Sequence, residues 1–158
     1  MDIYKIKGDI LESDVDVIVN PTNRWMIAGG GLCGQIYRAA GKKDLEDYTK
    51  NTCFEEYSGD APVGSCILSP TFNLRQQYII HIVTPKYHLD PVELLETCYK
   101  AVLQKAESAR CKSLALPLLG TGINGIPTEV SLDYLKSALD RHKDTNLTRV
   151  DIYISKMS

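Results

Sequence analysis

The chain of 158 residues carries 18 Lys and Arg against 20 Asp and Glu, a formal net charge of −2, and is 44% hydrophobic and 24% charged. That composition fits one globular domain, residues 1–158, with room for a proper core. Its basic residues are dispersed and gather in no patch, which argues against a partner bound through a nucleic-acid backbone.

Ile3–Lys7 (IYKIK) alternates apolar and polar residues, predicting a half-buried strand ended by Gly8-Asp9. Val15–Val19 is β-branched and apolar, and predicts a buried strand that stops at Asn20-Pro21. Leu32–Ala40 predicts a helix with Gly41 as its stop, and Lys42–Thr52 a second, polar helix. Gly64–Ser69 and Gln77–Val83 are further strand candidates. Pro91 opens a helix to Ala109, on which Leu94, Leu95, Cys98, Val102, Leu103 and Ala106 recur at helical spacing. Ser113–Leu118 predicts a short strand, Pro127–Arg141 a helix and Val150–Ile154 a closing strand. Strands alternating with helices throughout imply a layered α/β domain around a largely parallel sheet, with no repeat and no linker.

The opening MDIYKIKGDIL lacks the basic region, apolar run and cleavage site of a secretory signal, and no apolar run approaches the roughly 20 residues that span a bilayer. The expectation is a monomer in the cytoplasm, with the nucleus open and no membrane partner. The five cysteines, Cys33, Cys53, Cys66, Cys98 and Cys111, form no CxxC pair, and no His cluster completes a zinc spacing. Buried free thiols are expected at the last four, with no metal and no cofactor; Cys33 stands apart because of its neighbours.

Those neighbours belong to the stretch VNPTNRWMIAGGGLCG, Val19–Gly34, which places four glycines within six positions. A second glycine-bearing turn, Gly120-Thr121-Gly122-Ile123-Asn124-Gly125, follows the Ser113 strand. Both clusters fall at the carboxyl end of a predicted buried strand leading into a helix, the edge where open α/β sheets bind ligands. Glycines let backbone N–H groups approach an anion, and a helix N-terminus adds a favourable dipole. Two such loops on one edge suit two linked phosphates. The P-loop pattern is absent, and Gly29 to Gly34 matches GxGxxG only formally, because Asn20–Ala28 separates it from its strand.

The set of blocks resembles the macrodomain family. They are Gly8-Asp9-Ile10, Asn20-Pro21-Thr22-Asn23, Gly29–Ile36, Arg38-Ala39-Ala40-Gly41, Pro62–Pro70, Tyr78–Pro85 and Leu116–Pro127, in the family's order and across nearly the whole chain. The resemblance implies a three-layer α/β/α sandwich around a mixed, mostly parallel sheet, with ADP-ribose or an ADP-ribosylated protein as partner. It puts Asp9 on the adenine amino group and the Ile10 backbone beside the adenine and phosphate. Asn23 would hold the distal ribose and act in catalysis. Gly29, Gly30, Gly31, Leu32, Cys33 and Gly34 would flank the distal ribose and diphosphate, and Leu119, Gly120, Thr121, Gly122, Ile123, Asn124 and Gly125 would close from the other side.

From the residues alone, Asp9 reads first as a cap, and Asn23 also reads as an amide bonding its own turn. His81 is expected to be a core or sheet-face histidine and no catalytic base. Trp25 either touches the substrate or modified protein or pins the loop. Three positions depart from the family pattern. Cys33 stands where MacroD-type hydrolases carry a catalytic Asp, although macrodomains of the alphavirus type also have Cys there. Asn124 stands where many members place Tyr or Phe; Asn20-Pro21-Thr22-Asn23 and Asn124-Gly125 together resemble the histone-variant macrodomains, which resemble binders more than enzymes. Ser155 replaces an adenine-stacking aromatic. Three activities follow from the resemblance: hydrolysis of mono-ADP-ribosyl groups or O-acetyl-ADP-ribose, non-catalytic reading of ADP-ribose, and phosphatase action on ADP-ribose 1″-phosphate.

Overall fold

Alternation along the central strands fixes which helices cover which face of the sheet. The computed structural model describes residues 1–143 and 146–154. Its strands are β1 (Asp2–Ile6), β2 (Val17–Thr22), β3 (Cys66–Ser69), β4 (Tyr78–Val83), β5 (Ser113–Pro117) and β6 (Arg149–Tyr153). Its α-helices are α1 (Gly31–Ala40), α2 (Lys42–Tyr57), α3 (Leu94–Ser108) and α4 (Thr128–Arg141). The strands form one sheet in the order β1-β6-β5-β2-β4-β3, all pairs parallel except β3 with β4.

Val17, Val19, Ile80, Ile82, Leu114, Leu116, Val150 and Ile152 point to one face and pack on Leu95, Cys98, Tyr99, Val102 and Leu103 of α3 and Leu135 and Leu139 of α4. Ile18, Ile79 and Ala115 point to the other and pack on Ile36, Tyr37 and Ala40 of α1 and Leu45 of α2. The chain is therefore a three-layer α/β/α sandwich whose central strands are buried on both faces, which is why they read as near-continuous apolar runs. Each fully buried Ile or Leu contributes about 1.5–3 kcal/mol.

Several boundaries correct the sequence expectation. β2 does not stop at Asn20-Pro21 but runs to Thr22, pairing with β4 throughout while its pairing with β5 covers only Val17 and Ile18. Pro21 therefore lies where the strand has lost one neighbour, the place a strand tolerates proline. β1 is not half-buried: it is an edge strand, exposed from Asp2 to Lys5. Helix α2 continues five residues beyond Thr52 to Tyr57, because Cys53 still buries on its inner side and Ser58, in the left-handed conformation, ends it. Pro91 precedes α3 by one tight turn, in which Leu94 N–H and Leu95 N–H donate to the Pro91 and Val92 carbonyls. A single 3-10 turn, Ile10–Glu12, follows β1 unannounced. All five cysteines are free and buried.

Candidate functional site

The β2 chain leaves the sheet toward α1 on one face, whereas β5 leads to α4 on the opposite face. Adjacent strands whose connections depart to opposite faces open a crevice at their carboxyl ends. Both glycine loops stand there.

The first loop is folded by its own side chains and by α2. Asn23 Oδ1 accepts the N–H groups of Trp25 (3.1 Å) and Ile27 (3.3 Å), and Asn23 Nδ2 donates to the Ile27 carbonyl at 2.9 Å. Met26, buried with φ of 54°, has its carbonyl held by Thr49 Oγ1 at 2.7 Å and Tyr37 OH at 3.1 Å. The Ala28 N–H donates to Glu46 Oε2 at 2.8 Å, and Cys53 Sγ donates to the Arg24 carbonyl at 3.6 Å. Glu46, Thr49 and Cys53 lie three and four residues apart, so one stripe of α2 takes hold of Ala28, Met26 and Arg24 in turn.

Fastened this way, the chain enters α1 through Gly30, whose position at the N-cap is extended and supplies no side-chain cap. Gly31 takes φ of 56°, a left-handed conformation disfavoured for any residue with a Cβ. Gly34 is required by space: a Cβ there would lie 2.5 Å from the Gly29 carbonyl oxygen and 3.1 Å from Arg38 Nη1. Its N–H donates to the Gly30 carbonyl at 3.3 Å, so Gly34 supports the loop from below. The first N–H groups of α1, at Gly31, Leu32 and Cys33, have no acceptor within the helix, the kind of helix end that suits an anion in general.

Beneath it runs a buried polar chain that the sequence reading did not assemble. Asn20 Nδ2 donates to His81 Nδ1 at 3.0 Å and toward Cys33 Sγ at 3.6 Å; His81 Nε2 then donates to Ser69 Oγ at 2.8 Å, which donates to the Pro70 carbonyl at 3.0 Å. Burial drives the His81 pKa down to about 3, so the ring stays neutral and is a core histidine, as expected. Burial likewise pushes the Cys33 thiol up, outweighing its hydrogen bonds with Gly29 and Asn20. Cys33 is a neutral thiol at physiological pH and replaces neither the charge nor the basicity of a carboxylate.

The second loop is anchored at both ends. Leu119 is buried; its N–H donates to Tyr99 OH at 2.8 Å and its carbonyl accepts Ser131 Oγ at 2.7 Å. Asn124 Nδ2 donates to Thr84 Oγ1 and the Pro85 carbonyl, both at 3.0 Å, tying the turn to the end of β4. Between these anchors Gly120 lies at φ of 77°, Thr121 Oγ1 donates to the Leu118 carbonyl, and the Gly125 N–H closes on Gly122. Ile123, 84% exposed, reaches across the crevice: a Cβ on Gly30 would lie 3.3 Å from its Cδ1.

At the end of β1, Asp9 caps the 3-10 turn, accepting the Leu11 N–H at 3.0 Å, while Ile10 is buried with Cys33 and Ile36. Gly29 to Cys33 and Gly120 to Gly125 thus meet across one crevice, whereas Asn23 spends its amide largely on its own loop and Asn124 donates its amide to Thr84 and Pro85 at the end of β4. Ser155 lies outside the described residues. Among the described residues no group of His, Cys, Asp and Glu is disposed to hold a metal ion, and no helix is long and apolar enough to cross a membrane.

Comparison with known proteins matches residues 19–135 to the Macro domain family model. The chain belongs to the Macro domain family. This macrodomain is 34% identical over 155 residues to an uncharacterized protein of Saccharolobus solfataricus, covering 96% of this chain and 84% of the relative. It is 33% identical over 159 residues to a macro domain-containing protein of Listeria monocytogenes, covering 95% and 88%. The Oceanobacillus iheyensis macrodomain, solved with ADP, superimposes with a TM-score of 0.89 at 27% identity, over 96% of this chain and 82% of that one. The Trypanosoma brucei macrodomain in complex with ADP-ribose gives 0.78 at 25%, over 96% and 63%.

Proposed function

We propose that this macrodomain, a monomer over residues 1–158, binds ADP-ribose with its diphosphate between the N-terminus of α1 and the turn Gly120–Gly125. We propose further that it hydrolyses mono-ADP-ribosyl groups on acidic side chains or deacylates O-acetyl-ADP-ribose. The observation that carries the binding site is the α1 N-terminus, which is glycine-built and has no side-chain cap. The solved relatives that hold ADP and ADP-ribose support the choice of ligand.

In this arrangement one Asp9 oxygen keeps the Leu11 N–H and the other accepts from the adenine amino group, beside the Ile10 backbone. Asn23 has one amide hydrogen beyond those its turn consumes, and it donates that hydrogen to a distal-ribose hydroxyl. With Cys33 neutral, the base is the ligand's own phosphate acting through a bound water. On a protein-linked ester the water oxygen bonds to the anomeric carbon, the side-chain carboxylate leaves and the surplus proton passes to the phosphate; on O-acetyl-ADP-ribose the water oxygen bonds to the acetyl carbon, the ribose oxygen leaves and takes a proton, and the product is acetate. A second reading, a module that binds ADP-ribose or an ADP-ribosylated protein without turnover, is favoured by the neutral, buried Cys33.

ADP-ribose titration by calorimetry, coupled to release of ADP-ribose from a mono-ADP-ribosylated protein, separates these. Binding with release supports the hydrolase; binding with no release at high enzyme concentration leaves the reader; absence of binding removes both. Gly30→Glu is expected to abolish binding, by placing a side chain and a negative charge in the diphosphate path. Asn23→Ala is expected to lower kcat more than affinity if its amide acts on the transition state.

A further inference from the structure

Leu119 follows the end of β5, and two side chains from different helices take both of its backbone groups. Its N–H donates to Tyr99 OH of α3 at 2.8 Å, its carbonyl accepts from Ser131 Oγ of α4 at 2.7 Å, and the two hydroxyls lie 2.6 Å apart. A hydroxyl has one hydrogen to donate. Ser131 gives its own to Leu119, so Tyr99 donates to Ser131 and the ring closes with a single proton order. Tyr99, Leu119 and Ser131 are all fully buried. Burial also raises the Tyr99 pKa, so the phenol keeps the hydrogen that the ring requires.

The ring sets the direction of the chain beyond it. In a planar trans peptide a carbonyl and the following N–H point opposite ways, so turning the Leu119 carbonyl onto Ser131 turns the Gly120 N–H away from it. The carbonyls of Gly120 and Gly122 accept the N–H groups of Ile126 and Gly125, which turns the Thr121 and Ile123 N–H groups away from those partners. Among the described residues, the five successive N–H groups of residues 120–124 have no acceptor, whereas the carbonyls of Leu118, Leu119, Gly120, Gly122 and Asn124 are all taken. Gly120 reverses the chain at once: its φ is 77°, and a Cβ there would lie 2.6 Å from Ile126 Cδ1. No residue stands between the ring and this run of amides to absorb a rotated peptide. We propose that Tyr99 and Ser131 are positioning residues for the diphosphate, aligning the amides of residues 120–124 through Leu119 without touching the ligand themselves. The proposal rests on the ADP-ribose reading of the crevice.

The test compares Tyr99→Phe, Ser131→Ala, the double variant and Val102→Ala with wild type, by calorimetric Kd for ADP-ribose and ADP and by thermal unfolding. Val102 is buried on α3 outside the ring and controls for lost packing alone. Tyr99→Phe removes one oxygen and leaves the Leu119 N–H buried without an acceptor. Its expected effect is about tenfold weaker binding of both ligands, the scale of one lost buried hydrogen bond. Val102→Ala should lower thermal stability while keeping both Kd values within about twofold. The double variant should bind no more weakly than Tyr99→Phe, because members of one ring do not add. Tyr99→Phe that binds as wild type does, or Val102→Ala that weakens binding as much, overturns the positioning role, and losses that multiply in the double variant overturn the ring. If Tyr99→Phe does not fold, Ser131→Ala makes the same comparison. In the ligand-free protein, the amide resonances of residues 120–124 should shift in Tyr99→Phe and stay in place in Val102→Ala; resonances that do not move overturn the alignment. Wild type that binds neither ADP-ribose nor ADP overturns instead the crevice reading on which the proposal stands.

Discussion

The Glu46 carboxylate accepts the Ala28 N–H at 2.8 Å, and with Thr49 it fixes the loop between β2 and α1 from the side of a helix that follows both. The loop that leads into the α1 N-terminus is thus shaped by α2. Glu46→Ala is expected to destabilise the loop by about 1–2 kcal/mol, the scale of a half-exposed charged hydrogen bond, and to weaken ADP-ribose binding by a similar factor. Glu46→Gln keeps an acceptor and should restore most of both. Calorimetric Kd values alongside thermal unfolding check this; equal loss in the two variants would assign the effect to charge alone.

Two glycines are expected to fail for different reasons. Gly34→Ala forces its Cβ toward the Gly29 carbonyl and should lower stability by about 1–3 kcal/mol, as overpacking does. Gly31→Ala meets open space nearer than Ile123 and suffers only from its left-handed backbone, at about 1–2 kcal/mol. Urea unfolding of both variants ranks them, and the converse order would show that α1 yields more readily than its backbone.

Burial raises the Cys33 thiol's pKa, so native protein should react with iodoacetamide at Cys33 far more slowly than denatured protein. Whatever turnover wild type shows should survive Cys33→Ala within about threefold, because a neutral thiol contributes no base. A hundredfold loss in that variant would place the sulfur in the chemistry.

His81 sets a pH dependence whose sign follows from linkage. Its folded pKa is lowered from 6.5 to about 3, so between those values the unfolded chain binds a proton that the native chain refuses. Stability contributed by the neutral ring is fully present above pH 6.5 and falls on acidification by up to about 1.4 kcal/mol per unit. Urea midpoints measured from pH 7 to 5 should show this slope, and His81→Gln should flatten it.

The order of elements was legible because β2, β4 and β5 carry β-branched or apolar runs, β6 alternates, and the α3 and α4 segments keep a 3.6-residue period. β1 misled, since IYKIK alternates as a strand with one buried face would, whereas the structure leaves it an edge strand exposed from Asp2 to Lys5. The extra length of β2 was hidden by Pro21, a residue that stops a strand with two neighbours but not one with a single neighbour. In the site, the glycine clusters announced their location, whereas the grip of Glu46, Thr49 and Cys53 did not. Their i, i+3, i+7 spacing is visible in the sequence, but polar residues at that spacing ordinarily face solvent. Asn23 and Asn124 offer amides suited to a ligand, yet Asn23 is largely engaged with the backbone of its own turn and Asn124 with Thr84 and Pro85 at the end of β4.

The β2–β5 pairing ends after Ile18 and Ala115, and beyond it each strand carries a proline, Pro21 and Pro117. A parallel sheet that unzips in its middle leaves unmatched amides in a dry layer. Each proline removes one such amide where the strands part. The crevice is therefore a seam left open by design of the backbone itself. Where it begins is set by how far two strands run together, before any side chain lining it is chosen.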